Sequence, residues 1–165
     1  MWVEDRVRTG DPRYHKPMLL QGQLDSIAHL KKKLGDIQKV SNFTPKDTSY
    51  INTLNELGWE LRYYDKDSLF ILANEALRLS KEMEYEIGVF KSTSNLADYY
   101  LFNGKPDITI DYCTTLLDSM PTNDFFKLRA RTYNQIGQAN FVLGNYPNAY
   151  TSFLKSLEIS EKENL

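Results

Sequence analysis

Residues 133–157 read YNQIGQANFVLGNYPNAYTSFLKSL. The middle of this stretch, Gly144-Asn145-Tyr146-Pro147, cannot continue a regular element. Glycine supplies the backbone freedom of a tight turn, and proline has no amide to donate except in the first turn of a new helix, where that donor would be unpaired anyway. Helical stretches at 124–142 and 146–162 flank the break. Gly137 on the first and Ala149 on the second are small where two helices of a hairpin would cross, and close approach of two helices needs missing side-chain volume. The spacing predicts a helical hairpin.

The same punctuation recurs upstream. Breakers fall at Asp65-Lys66-Asp67-Ser68, at Asn103-Gly104-Lys105-Pro106 and at Pro121-Thr122-Asn123-Asp124. Between them lie helical stretches at 49–63, 67–82, 85–102 and 106–119, so three hairpins are expected, at 49–82, 85–119 and 124–162. Gly58 and Ala97 take the place that Gly137 takes in the last hairpin. Ahead of the hairpins, Leu24, Ile27, Leu30, Leu34 and Ile37 recur at three- and four-residue steps and predict one amphipathic helix over 24–40. A turn-rich linker follows at 41–48. Residues 1–23 carry Gly10, Pro12 and Pro17 among basic residues with no helical or strand period, and read as a disordered arm.

The last hairpin resembles the tetratricopeptide repeat, a pattern of an aromatic, Leu-Gly, a second aromatic, Ala, Phe, Ala and Pro at fixed offsets. Tyr133, Ile136, Gly137, Gly144, Tyr146, Ala149, Phe153 and Ser156-Leu157 match it; Asn140 stands for the usual aromatic and Glu161 for the usual proline. The second hairpin matches through Leu96-Ala97, Tyr100, Gly104, Leu116-Leu117 and Pro121, more weakly at Thr109 and Cys113. The first matches through Leu54, Leu57-Gly58, Leu61, Leu69, Ala73 and Ala76-Leu77, with a turn that lacks the glycine. Gly104 and Gly144 stand 40 positions apart, longer than the usual unit of about 34 residues. Units of this length are similar to the repeat arrays ahead of histidine kinase, phosphatase or helix-turn-helix output domains in bacterial regulators, and residues 54–62 (LNELGWELR) are especially like their first repeats.

The resemblance implies an all-α fold over 49–165: a right-handed superhelical array of about three hairpins, preceded by the amphipathic helix. Amphipathic helices rich in alanine and glycine also build ordinary bundles, which stands as the alternative. The family's arrays bind peptides in a groove lined by first helices. The resemblance carries that groove onto Asn55, Trp59 and Arg62, then Lys91, Asn95 and Asp98, then Arg131, Asn134, Gln135 and Gln138, with Trp59 as the anchor. A solvated polar face would have the same composition. Family members that grip a terminal carboxylate carry lysine and asparagine where this chain has Asn55 and Trp59, so that mode is not expected. Tyr100, Tyr133 and Phe153 are expected to fill the space between one hairpin and the next.

Composition excludes other classes. The chain of 165 residues has 20 basic and 22 acidic side chains, a net charge of -2 and 41% hydrophobic residues. That composition folds but gives no electrostatic case for nucleic acid or a membrane surface as partner. No apolar run reaches the roughly 18 residues needed to span a bilayer, and no secretory leader is evident, so a cytoplasmic location is expected. Cys113 is the only cysteine and, lying in an apolar pattern, reads as a packing residue. His15 and His29 have no second ligand at metal spacing, and no phosphate-cradling loop or nucleophile elbow occurs. No cofactor, metal or catalytic residue is expected. An enzyme working through Cys113 or His29 stands only as a control. Asn42-Phe43-Thr44 matches a glycosylation acceptor and is given no role.

Two functions remain: a non-enzymatic scaffold for a protein or peptide ligand, or the sensory input region of a bacterial signalling regulator. On the last helix Phe153, Leu157 and Ile159 face one way with no polar capping helix after them. The expectation is therefore part of a longer array, or self-association through that helix.

Overall fold

The structure is a computed structural model that describes residues 21–41, 43–121 and 125–163. Seven α-helices and no strand occur among the described residues: α1 Gln21–Gln38, α2 Thr48–Leu61, α3 Lys66–Glu82, α4 Glu86–Phe102, α5 Pro106–Ser119, α6 Phe126–Val142 and α7 Tyr146–Lys162. The six hairpin helices lie within two residues of the stretches read from the sequence. The helix expected at 24–40 begins instead at Gln21, so 21–23 belong to it rather than to an arm. The rest of the arm, and Asn42, lie outside the described residues.

Local chemistry sets the boundaries. Asp47 caps α2 by accepting from the Ser49 amide at 2.6 Å and the Tyr50 amide at 3.4 Å, and Asp65 caps α3 by accepting from the Ser68 amide at 3.0 Å. Pro106 opens α5, and Pro147 sits in the first turn of α7. Helices α4 and α6 end alike. Gly104 and Gly144 take left-handed φ values of +70° and +76°, and the next amide in each case, Lys105 or Asn145, reaches back to the Tyr100 or Asn140 carbonyl at 2.9 and 2.8 Å. Helix α3 ends the same way with Glu84 at φ 54° and a 2.8 Å bond from the Tyr85 amide to the Ser80 carbonyl. The turn from α2 to α3, which has no glycine, contains no positive φ.

Each helix packs against the next in the chain, and α2 also packs on α4 and α4 on α6. No comparable contact joins α3 to α5 or α5 to α7 among the described residues. The chain is thus two layers of helices: first helices that pack on one another, and second helices without comparable packing among the described residues. Helix α1 covers the outer side of α2, its Ile27 and Leu30 packing with Leu57 and Leu61. The α2–α3 pair buries Ile51, Leu54, Ala76 and Leu79, and the α4–α5 pair buries Phe90, Leu116 and Met120.

The crossings are tight where small residues were expected. Ala73, Ala97 and Ala149 are almost wholly buried. A methyl group at Gly137 would stand 2.5 Å from Phe153 Cε1. That distance also corrects the reading of Phe153. Its ring lies over Gly137 within its own hairpin instead of filling the gap to a neighbour. Tyr100 likewise packs on Tyr112 of its own hairpin, with ring centroids 5.2 Å apart. Aromatic contacts between hairpins are instead made by Phe70 with Tyr99 at 4.5 Å, Tyr63 with Phe102 at 5.0 Å and Phe90 with Phe125 at 5.4 Å.

Candidate functional site

The ten residues that the family resemblance singles out all lie on the first-helix layer, and the structure divides them. Asn55, Asn95, Asp98 and Gln135 are buried; Trp59, Arg62, Lys91, Arg131, Asn134 and Gln138 are partly exposed.

The buried four form a polar seam running from α2 through α4 to α6. Asn95 Nδ2 donates to the Asn55 carbonyl at 2.9 Å, and Ser92 Oγ donates to Asn55 Oδ1 at 3.0 Å. On the other side of α4, Gln135 Nε2 donates to the Ser94 carbonyl at 2.8 Å and to Asp98 Oδ1 at 2.5 Å, while Ser94 Oγ donates to Gln135 Oε1 at 3.1 Å. Arg131 joins the halves: its Nη2 donates to Asn95 Oδ1 at 2.9 Å and to Asp98 Oδ2 at 2.6 Å. Burial lowers the Arg131 guanidinium below its ordinary value, against the upward pull of Asp98, and an arginine stays charged under such a shift. These side chains fix the register of three first helices against one another.

Of the exposed members, Arg62 and Arg131 stack on Trp59, and Lys91 and Asn134 line depressions that it also walls. The guanidinium carbon of Arg62 lies 3.4 Å from the ring centroid and that of Arg131 lies 3.6 Å from it. Two guanidiniums at that stacking distance cannot share one face of an indole without overlapping, so they cover opposite faces. Both contacts are cation–π pairs. An anchor whose two faces are already taken offers a ligand only its edge. Arg62 also donates from Nη1 to the Trp59 carbonyl at 2.5 Å.

Two depressions flank Arg131. One, of about 360 Å³, has Asn55, Trp59, Lys91, Lys127, Leu128 and Arg131 in its walls. The other, of about 420 Å³, is bounded by Trp59, Lys127, Ala130, Asn134, Ser156 and Ser160. Sequence reasoning missed Lys127, which precedes Arg131 by one helical turn and lines both; that i, i+4 spacing was the available signal. It also missed Ser156 and Ser160, because they lie on the second helix of the hairpin. Gln138 hydrogen-bonds Asn134 on its own helix.

Cys113 is fully buried, and its thiol reaches Gln135 Oε1 at 3.7 Å. Burial, then the Asp98 charge, pushes it up to about 12, the opposite of an activated nucleophile. Among the described residues no group of three or more His, Cys, Asp or Glu side chains is placed to hold a metal, and no helix is long and apolar enough to cross a membrane. A cavity of about 470 Å³ lies on the other layer, between α3 and α5 over α4, lined by Leu77, Val89, Phe90, Tyr112 and Leu116 with Lys81 and Asp111 at its edge.

Comparison of the chain with protein-family models, with curated proteins and with solved structures finds no match.

Proposed function

We propose that the chain is a tetratricopeptide-type repeat scaffold that binds a protein or peptide segment on the surface of its first helices, without catalysis. The reading rests above all on one observation. Successive first helices pack more closely than successive second helices among the described residues, which curves such an array toward the first helices, and that inner side carries two adjoining depressions around Trp59 and Arg131. The left-handed ends at Gly104 and Gly144, with the crossings at Ala97 and Gly137, support a repeating hairpin and with it the right-handed superhelix. Arg131, Lys91, Asn134 and the Trp59 edge contact the ligand; Asn55, Asn95, Asp98 and Gln135 hold those contacts in place from beneath.

The test begins with binders selected from a random peptide display library on the whole chain. Lys127→Glu and Asn134→Ala are expected to weaken them while leaving the melting curve in place. Binders that ignore both changes but are lost on Leu77→Glu, in the cavity of the second-helix layer, would refute the assignment.

A second reading, the input region of a bacterial signalling regulator, draws on α7. Tyr146, Tyr150, Leu154 and Leu157 stand exposed along it at helical spacing, a face through which a binding event would pass to another element or a second copy. An output domain in the same reading frame is the expected finding; a regulator-free reading frame would count against it.

A further inference from the structure

Building on the peptide-binding assignment, we infer that the segment taken up around Trp59 is acidic, its carboxylate side chains received by Lys91, Lys127 and Arg131. Charge is spread unevenly over the helices, and α5 and α6 are its two extremes. Helix α6 carries Lys127, Arg129 and Arg131 with no acidic residue, and α5 carries Asp107, Asp111 and Asp118 with no basic one. A chain whose net charge is -2 therefore presents a basic strip on one side.

The 360 Å³ depression concentrates that strip. Its walls bring Lys91 from α4 together with Lys127 and Arg131 from α6, against one carboxylate, Glu56, which already faces Lys33 of α1 at 3.8 Å. Arg131 is balanced by Asp98, but Lys91 and Lys127 are not balanced by any carboxylate among the described residues. Lys91 donates only to Asn52 Oδ1 at 3.3 Å. A ligand that supplies carboxylates answers this excess of positive charge, because opposite charges in a low-dielectric cleft steer the partner and fix its register. Leu128 and the Trp59 edge add an apolar patch beside the cations, so the matching segment alternates acidic and apolar residues. Three cations in one cleft would neutralise few phosphates and give a weak, salt-sensitive grip on a nucleic-acid backbone.

The experiment uses the whole chain carrying Trp2→Phe, which leaves Trp59 as the sole indole reporter. Its fluorescence is titrated with an acetylated, amidated peptide of alternating glutamate and leucine, with the lysine–leucine peptide of the same length, with a serine–leucine control and with oligothymidylate. The expected result is a saturable change with the glutamate peptide alone, weakened by about tenfold or more in Lys127→Glu and less in Lys127→Gln, and weakened by added salt. Equal binding of the lysine or serine peptide, or no response to the glutamate peptide, would overturn the acidic assignment. Tighter binding of oligothymidylate would overturn it in favour of a nucleic-acid surface. Because display-selected neutral peptides would still report on the first-helix surface, loss of the acidic preference is distinguishable from loss of the peptide-binding reading itself.

Discussion

Arg131 on α6 and Asp98 on α4 form a 2.6 Å ion pair in which the arginine side chain is 21% exposed and the aspartate side chain 6% exposed. A pair this sheltered is worth little over an apolar replacement, but removing one member strands the other in a poor solvent. Arg131→Met is therefore expected to cost about 3 kcal/mol in urea unfolding. Adding Asp98→Asn to that variant should recover part of the loss, since it deletes the stranded charge. Additive losses in the double variant would show that the two residues are not coupled.

The contact of Gly137 with Phe153 predicts a steric effect with a specific remedy. Gly137→Ala places a methyl group against the ring and should cost about 1 to 3 kcal/mol by overpacking; Phe153→Leu in the same chain should relieve much of that cost. Ala149→Phe, at the facing position, should be penalised on the same scale. Unchanged melting curves would mean that the crossing is looser than its geometry.

Helix ends give a pair of opposite signs. Gly144→Ala forces a side chain into φ +76° and should destabilise by about 1 kcal/mol, whereas Glu84→Gly relieves φ 54° and should stabilise by about as much. Chemical denaturation of the two variants reads both signs at once.

Cys113 should be inert. In the folded chain a thiol reagent at mildly alkaline pH is expected to leave it unmodified and to react only after denaturant is added. Its folded pKa of about 12 exceeds the ordinary value of 9.0, so the unfolded chain sheds this proton first as pH rises. The stability it contributes is complete below about pH 9 and falls away between there and about 12. Replacing Cys113 with Ala should remove that alkaline slope.

The exposed row on α7 predicts association. Light scattering on the whole chain should report a species larger than one copy, and Tyr150→Glu with Leu157→Glu should return it to one while circular dichroism stays helical. A chain that is already single at high concentration would remove self-association from the proposal.

Most of the helical layout was legible in the sequence, since glycine, proline and aspartate mark helix ends through chemistry that acts within a few residues. Gly104 and Asp65 do locally what their residue types suggest. The placement of Phe153 was not legible, because a ring can fill the space beside its own partner helix or beside the next hairpin with the same periodicity. Nor was the burial of Asn95, Asp98 and Gln135. Polar side chains on a helix face read as solvated until the residues that satisfy them, some 40 positions away, are brought alongside. Trp59 was read as an open anchor for the same reason: Arg131, 72 positions on, is what covers its second face.

Helix α1 lies across α2 and shields that end of the molecule, while α7 leaves its own outer side bare. A molecule with only one adhesive end cannot grow into a filament, because the copy that joins it brings no second end to extend. If copies of the chain join through α7, the association is expected to end at a pair related by a two-fold axis.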